Sequence, residues 1–167
     1  MQSIVPFLGG CAHLSRLWDL SVKAGHVTSF YKRILVPAEV HHEVTVDGRG
    51  LAGAEEVRNA VWIEVVPLGS ATDPLLEAAC QGLGAGERGA ILLAKSLPAD
   101  LVLLDESKAR RIAREARLAI VGCLGVLEAG GLVPDLRQAY MDLLRQGIRF
   151  DIGLLQDSLA RLGLPKL

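Results

Sequence analysis

The residues of this chain best suited to chemistry are three carboxylates, Glu43, Glu87 and Asp105, and a basic run that follows the last of them. Asp105 comes directly after the apolar stretch Leu101-Val-Leu-Leu104, which reads as a buried strand. Glu87 opens the apolar helix expected over 87–97, just before that strand. A helix that leads into a parallel strand runs antiparallel to it, so Glu87 and Asp105 are expected at one edge of a sheet. A helix N-terminus also favours an ionised carboxylate by a few tenths to about 1 kcal/mol. Glu43 lies about two turns into a helix that follows Ile34-Leu-Val36 and begins at the same edge. Carboxylates packed together repel one another unless a cation is present. A hard divalent cation such as Mg2+ or Mn2+ relieves that repulsion, polarises phosphate and activates water. The plainer alternative is that Glu87 serves the helix dipole and Asp105 caps the next helix.

Lys108, Arg110, Arg111, Arg114 and Arg117 fall in the helix expected over 106–117. Ala109, Ile112, Ala113 and Ala116 form its inner stripe, and Arg110, Arg114 and Arg117 line one outer face. Such a row can hold a phosphate backbone without reading sequence, although a charge run can also be a solvated face.

These residues need a scaffold, and the chain has the size for one. Its 167 residues suit a single domain with one core. Half are hydrophobic and only 4% aromatic, a balance that suits buried parallel strands covered by helices. The net charge of −1 leaves any nucleic-acid binding to a local patch. Cys11, Cys80 and Cys123 show no zinc-finger spacing and no disulfide framework, and read as reduced, buried thiols of a cytoplasmic protein. No signal peptide is expected, and the longest apolar stretch, 118–133, is interrupted by Glu128 and is a poor membrane span.

The expected order is a weak strand at 3–7, a helix at 13–22, irregular chain at 23–32, a strand at 34–36, and a helix from Pro37 to about Val44. A helix at 52–61, a strand at 62–66, and a helix capped by Asp73 or Thr72 follow. After a glycine-rich turn at 82–86 come the helix 87–97, the strand 101–104, the basic helix, a strand at 119–122, and helices at 124–129, 136–145 and 152–162. Alternating strands and helices make an α/β fold with a mostly parallel sheet. Sites in such folds lie beyond the carboxyl ends of the strands.

From about Ile34 to the C-terminus, roughly four-fifths of the chain, the sequence resembles PIN-domain proteins. The likeness is to a branch of uncharacterised bacterial and archaeal PIN-like proteins related to VapC toxins. It is carried by Ile34-Leu-Val-Pro-Ala-Glu-Val-His-His-Glu43, Leu83-Gly-Ala-Gly-Glu-Arg-Gly-Ala-Ile91, Leu103-Leu-Asp-Glu-Ser-Lys-Ala-Arg110 and Ile120-Val-Gly-Cys-Leu-Gly-Val-Leu127. It implies a three-layer PIN-like fold, a central sheet flanked by helices, over 1–167, with 1–33 atypical. It further implies cleavage of single-stranded RNA, with Glu43, Glu87 and Asp105 as metal-site acids for Mg2+ or Mn2+. A homodimer and an antitoxin that blocks the site are implied as well. The family pattern also has an aspartate at the end of the first strand, followed by small hydroxyl residues and Pro-Leu. Here the segment reads Gln2-Ser-Ile-Val-Pro-Phe-Leu-Gly-Gly-Cys11, with no acid before Asp19. Catalysis is the property this departure puts in question, and a PIN-like domain that binds RNA or an antitoxin without cleavage is the alternative.

Gly84-x-Gly86-x-x-Gly89, with Asp105 further on, also imitates a dinucleotide fingerprint, but that motif needs a strand directly before the glycines. An NAD-binding enzyme is therefore the weaker rival. His41 and His42 point in different directions on their helix and read as a surface pair.

Overall fold

A computed structural model describes residues 2–6, 31–50, 54–70, 73–97, 99–128, 135–145 and 151–167, with the backbone alone for 2–6, 31–32 and 123. The helix expected at 13–22, and Asp19 within it, lie outside the described residues, as does most of the irregular stretch at 23–32.

Five strands form one sheet: β1 (Gln2–Pro6), β2 (Tyr31–Pro37), β3 (Ile63–Val66), β4 (Leu101–Leu103) and β5 (Ile120–Val121). Their spatial order is β3-β2-β1-β4-β5, and every pairing is parallel. The weak first strand is therefore the centre of the sheet. Pro6 is level with Leu103, and Leu103 with Val121, so β1, β4 and β5 end on one row. The chain winds outward from β1 through β2 to β3, then crosses to β4 on the other side of β1. That reversal makes the carboxyl ends of β1 and β4 the switch point, where ligands of open parallel sheets bind.

Strand β2 is longer than expected, and Pro37 is its last residue rather than the first of the helix. The proline keeps an extended ψ of 143°, and the helix α1 (Ala38–His42) starts after it. From Glu43 to Asp47 the winding widens into a π-helical turn, which the sequence pattern does not signal. Helix α2 (Ala54–Asn59) connects to β3. Helix α3 (Pro74–Ala79) is capped by Asp73, whose Oδ1 accepts from the Leu75 and Leu76 N–H groups. Then come α4 (Ala85–Ser96), β4, α5 (Ser107–Glu115), β5 and three closing helices, α6 (Cys123–Glu128), α7 (Leu136–Arg145) and α8 (Ile152–Arg161).

Helix α4 lies against β2, β1 and β4 and is buried along most of its length, from Gly86 through Ala94. It stops because Leu97 takes the extended conformation that a following proline, Pro98, favours. The core joins Ile34, Leu35 and Val36 of β2 to Ile91, Leu92 and Leu93 of α4 and Val102 to Leu104 of β4. Each such side chain adds about 1.5–3 kcal/mol on burial. Cys80 is fully buried, and burial pushes its thiol up from the usual value, so it packs and does not react. Among the described residues no helix is long and apolar enough to cross a membrane.

Candidate functional site

The carboxyl edge of the sheet is where α1, α4 and α5 begin or pass. Asp105 stands there, two residues beyond β4, and is exposed. It is not the cap of the helix that follows. That role belongs to Glu106, whose Oε2 accepts from the Ala109 N–H at 2.6 Å. Hydrogen bonds from the Lys108 and Ala109 N–H groups hold the Glu106 carboxyl below its usual value. Asp105 is thus placed at the switch point without being needed to start α5.

Beside Asp105 is Arg110. Its guanidinium folds back from α5 and its Nη1 donates to the Leu104 carbonyl at 2.7 Å. Both side chains converge on Gly122, the residue after β5. A β-carbon there would stand 3.0 Å from Arg110 Nη1 and 3.1 Å from Asp105 Oδ1.

Glu87 occupies the third position of α4. Its Oε2 accepts the Gly84 N–H at 2.8 Å, closing the first turn from inside. The start of α4 lies at the carboxyl edge, as the topology requires. The last residue of β2 shows this directly: a β-carbon on Gly89 would meet Pro37 Cβ at 3.2 Å and Glu39 Oε2 at 3.4 Å. Glycine at 89 lets α4 approach the end of β2 closely. It also brings in Glu39, a carboxylate at that edge besides the three acids singled out from the sequence. Its position two residues after Pro37, in the first turn of α1, is the signal the sequence carries. Gly122 carries no such signal, since only the packing shows what fills its empty side.

Glu43 is the first residue of the π-helical turn and is half-buried. Such turns recur at functional sites because they re-aim the side chains they carry. Within the turn Thr45 Oγ1 donates to the His41 carbonyl at 2.7 Å, and Arg58 donates to the Thr45 carbonyl. His41 is half-buried and His42 exposed. Burial, then the charges of Arg58 and His42, lower the His41 pKa, so it is neutral at pH 7.

The basic run divides by partner. Lys108 Nζ donates to the Gly82 carbonyl at 3.1 Å and the Gln81 carbonyl at 3.4 Å, tying α5 to the turn before α4. Arg110 holds Leu104, and Arg111 pairs with Glu115 at 3.2 Å. Arg114 and Arg117 are exposed, and neither has an ion pair among the described residues. Arg117 is not on the helix face, as the spacing suggested. It follows the helix with a φ of 60°, and the Leu118 N–H reaches back to the Ala113 carbonyl. This is the closing turn usually given to glycine. Because α5 runs away from the carboxyl edge, Arg114 and Arg117 sit toward the opposite end of the sheet from Asp105.

Glu39, Glu43, Glu87 and Asp105 offer hard oxygen donors, the right kind for Mg2+ or Mn2+. Among the described residues, however, no three Asp, Glu, His or Cys side chains gather closely enough to hold an ion. The donors fit a divalent cation in kind, and among the described residues they are not gathered into a set of three around one point. The glycines of the dinucleotide-like motif are placed differently from a cofactor loop: α3 precedes them, and Gly86 and Gly89 lie inside α4.

The family model DUF3368, a PIN domain, matches residues 20–164. No curated protein and no solved structure gives a significant match to the chain.

Proposed function

This chain belongs to the PIN-domain family, a nuclease-type fold, and from that premise we propose that it is a divalent-metal-dependent ribonuclease for single-stranded RNA, of the VapC toxin type. The observation that supports this reading most is the position of Asp105. It stands at the carboxyl end of β4, next to the central strand, where α1 and α4 also bring carboxylates. Glu43, Glu87 and Asp105 are the acids proposed to hold Mg2+ or Mn2+, which when bound would polarise the scissile phosphate and supply hydroxide. The chain's own contribution is placement. Glu106 takes over the cap of α5, leaving Asp105 at the edge. Arg114 and Arg117, exposed toward the far end of α5, would attract the phosphate backbone of a strand that extends from that edge along the helix. A homodimer, a cytoplasmic location and an antitoxin that covers the edge complete the proposal.

A second reading has its own observation. Strand β1 ends at Pro6 without an acid, and the described residues do not gather three metal-binding side chains. On that reading the domain binds RNA or an antitoxin and does not cleave. Equilibrium binding and cleavage of the same labelled single-stranded RNA separate the two. The ribonuclease reading predicts that Asp105→Asn keeps affinity and loses turnover. Binding by wild-type protein with no turnover in Mn2+ favours the second reading, and absence of RNA binding contradicts the ribonuclease reading and the RNA-binding form of the second.

A further inference from the structure

Arg110 belongs by spacing to the outer, phosphate-facing row of α5, yet its side chain does not extend from that row. It is half-buried, and its Nη1 is spent on the Leu104 carbonyl at 2.7 Å. Leu104 is the residue between β4 and Asp105, so the guanidinium is attached to the backbone that carries the carboxylate. Gly122, at the end of the neighbouring strand, faces both groups. The space a side chain would fill there is taken by Arg110 Nη1 and Asp105 Oδ1, at 3.0 and 3.1 Å from the position of a β-carbon. Those separations are tighter than nearly all β-carbon contacts. Three residues from three elements therefore share one small volume at the sheet edge.

We infer that Arg110 is a positioning residue: tied to the Leu104 carbonyl and seated over Gly122, it fixes where the Asp105 carboxylate points. The guanidinium suits this task because its planar fork offers several donors in fixed directions, which a lysine ammonium does not. Gly122 matches this arrangement, because a β-carbon there would press on both side-chain ends and oblige them to give by a few tenths of an ångström. The inference refines the ribonuclease reading of this edge and rests on it only for its catalytic consequence. It also removes Arg110 from the set of residues that grip RNA, leaving Arg114 and Arg117.

The test uses the full chain as wild type and as Arg110→Ala, Arg110→Lys, Gly122→Ala and Arg114→Ala. Crystal structures report the Asp105 orientation, and RNA affinity is measured across a salt series. The expected result is a turned Asp105 carboxylate in Arg110→Ala and in Gly122→Ala, with the slope of log affinity against log salt as in wild type. Arg114→Ala should reduce that slope by about 1. Where wild type cleaves RNA, Arg110→Ala should lower kcat by about 100-fold at little change in KM, the usual effect of misplacing a reacting group. Arg110→Lys should recover part of it. A salt slope reduced in Arg110→Ala as in Arg114→Ala overturns the inference, and so does an unmoved Asp105. If wild type neither binds nor cleaves RNA, the ribonuclease reading fails, and the Asp105 orientation still decides the role of Arg110.

Discussion

Glu87 carries two demands on one carboxylate. Its Oε2 closes the first turn of α4 through the Gly84 N–H, and its charge is proposed to serve a cation at the same edge. The two separate by substitution. Glu87→Gln keeps an acceptor for the Gly84 N–H and removes the charge. Glu87→Ala removes both. The expected outcome is a stability loss of about 1 kcal/mol for the alanine variant and little for the glutamine variant, measured by urea unfolding. Both should reduce RNA cleavage. Equal stability of the two variants would contradict the capping role. Glu87 and Asp105 could be placed at one edge from the sequence, because strand and helix directions alternate. That Glu106 rather than Asp105 caps α5 was not legible. Either side chain can reach an N–H of the first turn, and local backbone geometry decides.

Helix α5 shows the same division one level up. Its buried stripe of Ala109, Ile112 and Ala113 follows from periodicity alone. Its cationic face does not divide by periodicity. The engaged members depend on partners far away in sequence, such as the Gln81 and Gly82 carbonyls for Lys108. The π-helical turn at Glu43 was equally hidden, since one widened turn leaves the apolar spacing nearly unchanged. The cap of α5 makes a pH prediction. The Glu106 carboxyl has its pKa lowered in the fold by backbone N–H donors. A lowered value means that the ionised form stabilises the fold at neutral pH and that this contribution is lost as pH falls through the lowered value. The melting temperature of Glu106→Gln should therefore lie below wild type at pH 7. The gap should close as pH falls below about 4, where carboxylates protonate. A gap that is constant with pH would contradict this account of the cap.

Across the whole molecule, a parallel sheet flanked by helices was readable from the alternation of apolar strands and helical stripes. The strand order was not, because pairing between distant strands leaves no local mark. Nor was the polar contact that joins the closing helices. Ser158 Oγ donates to Glu128 Oε1 at 2.6 Å and meets the Tyr140 hydroxyl at 2.8 Å, while Arg161 pairs with Glu128 at 3.3 Å. Tyr140 and Ser158 are fully buried, and burial raises the tyrosine pKa. Removing the shared acceptor leaves one buried O–H without a partner, because the Tyr140 and Ser158 hydroxyls can satisfy only one of their two protons between themselves. Glu128→Ala should lower unfolding stability by about 2 kcal/mol in denaturant titration. A loss below about 0.5 kcal/mol would show that the network adds little. Such a variant should leave RNA affinity unchanged, because the network lies on the C-terminal helices and not at the Asp105 edge.

The central claim is that the carboxyl edge of this sheet cleaves RNA with a divalent metal. It is tested most directly by following an end-labelled single-stranded RNA with purified wild type and Asp105→Asn, each in Mn2+ and in EDTA. The account predicts cleavage by wild type in Mn2+ alone, reduced at least about 100-fold in Asp105→Asn, a barrier increase of about 2.7 kcal/mol. Cleavage that persists in EDTA or is undiminished in Asp105→Asn, or no cleavage by wild type at all, would contradict it.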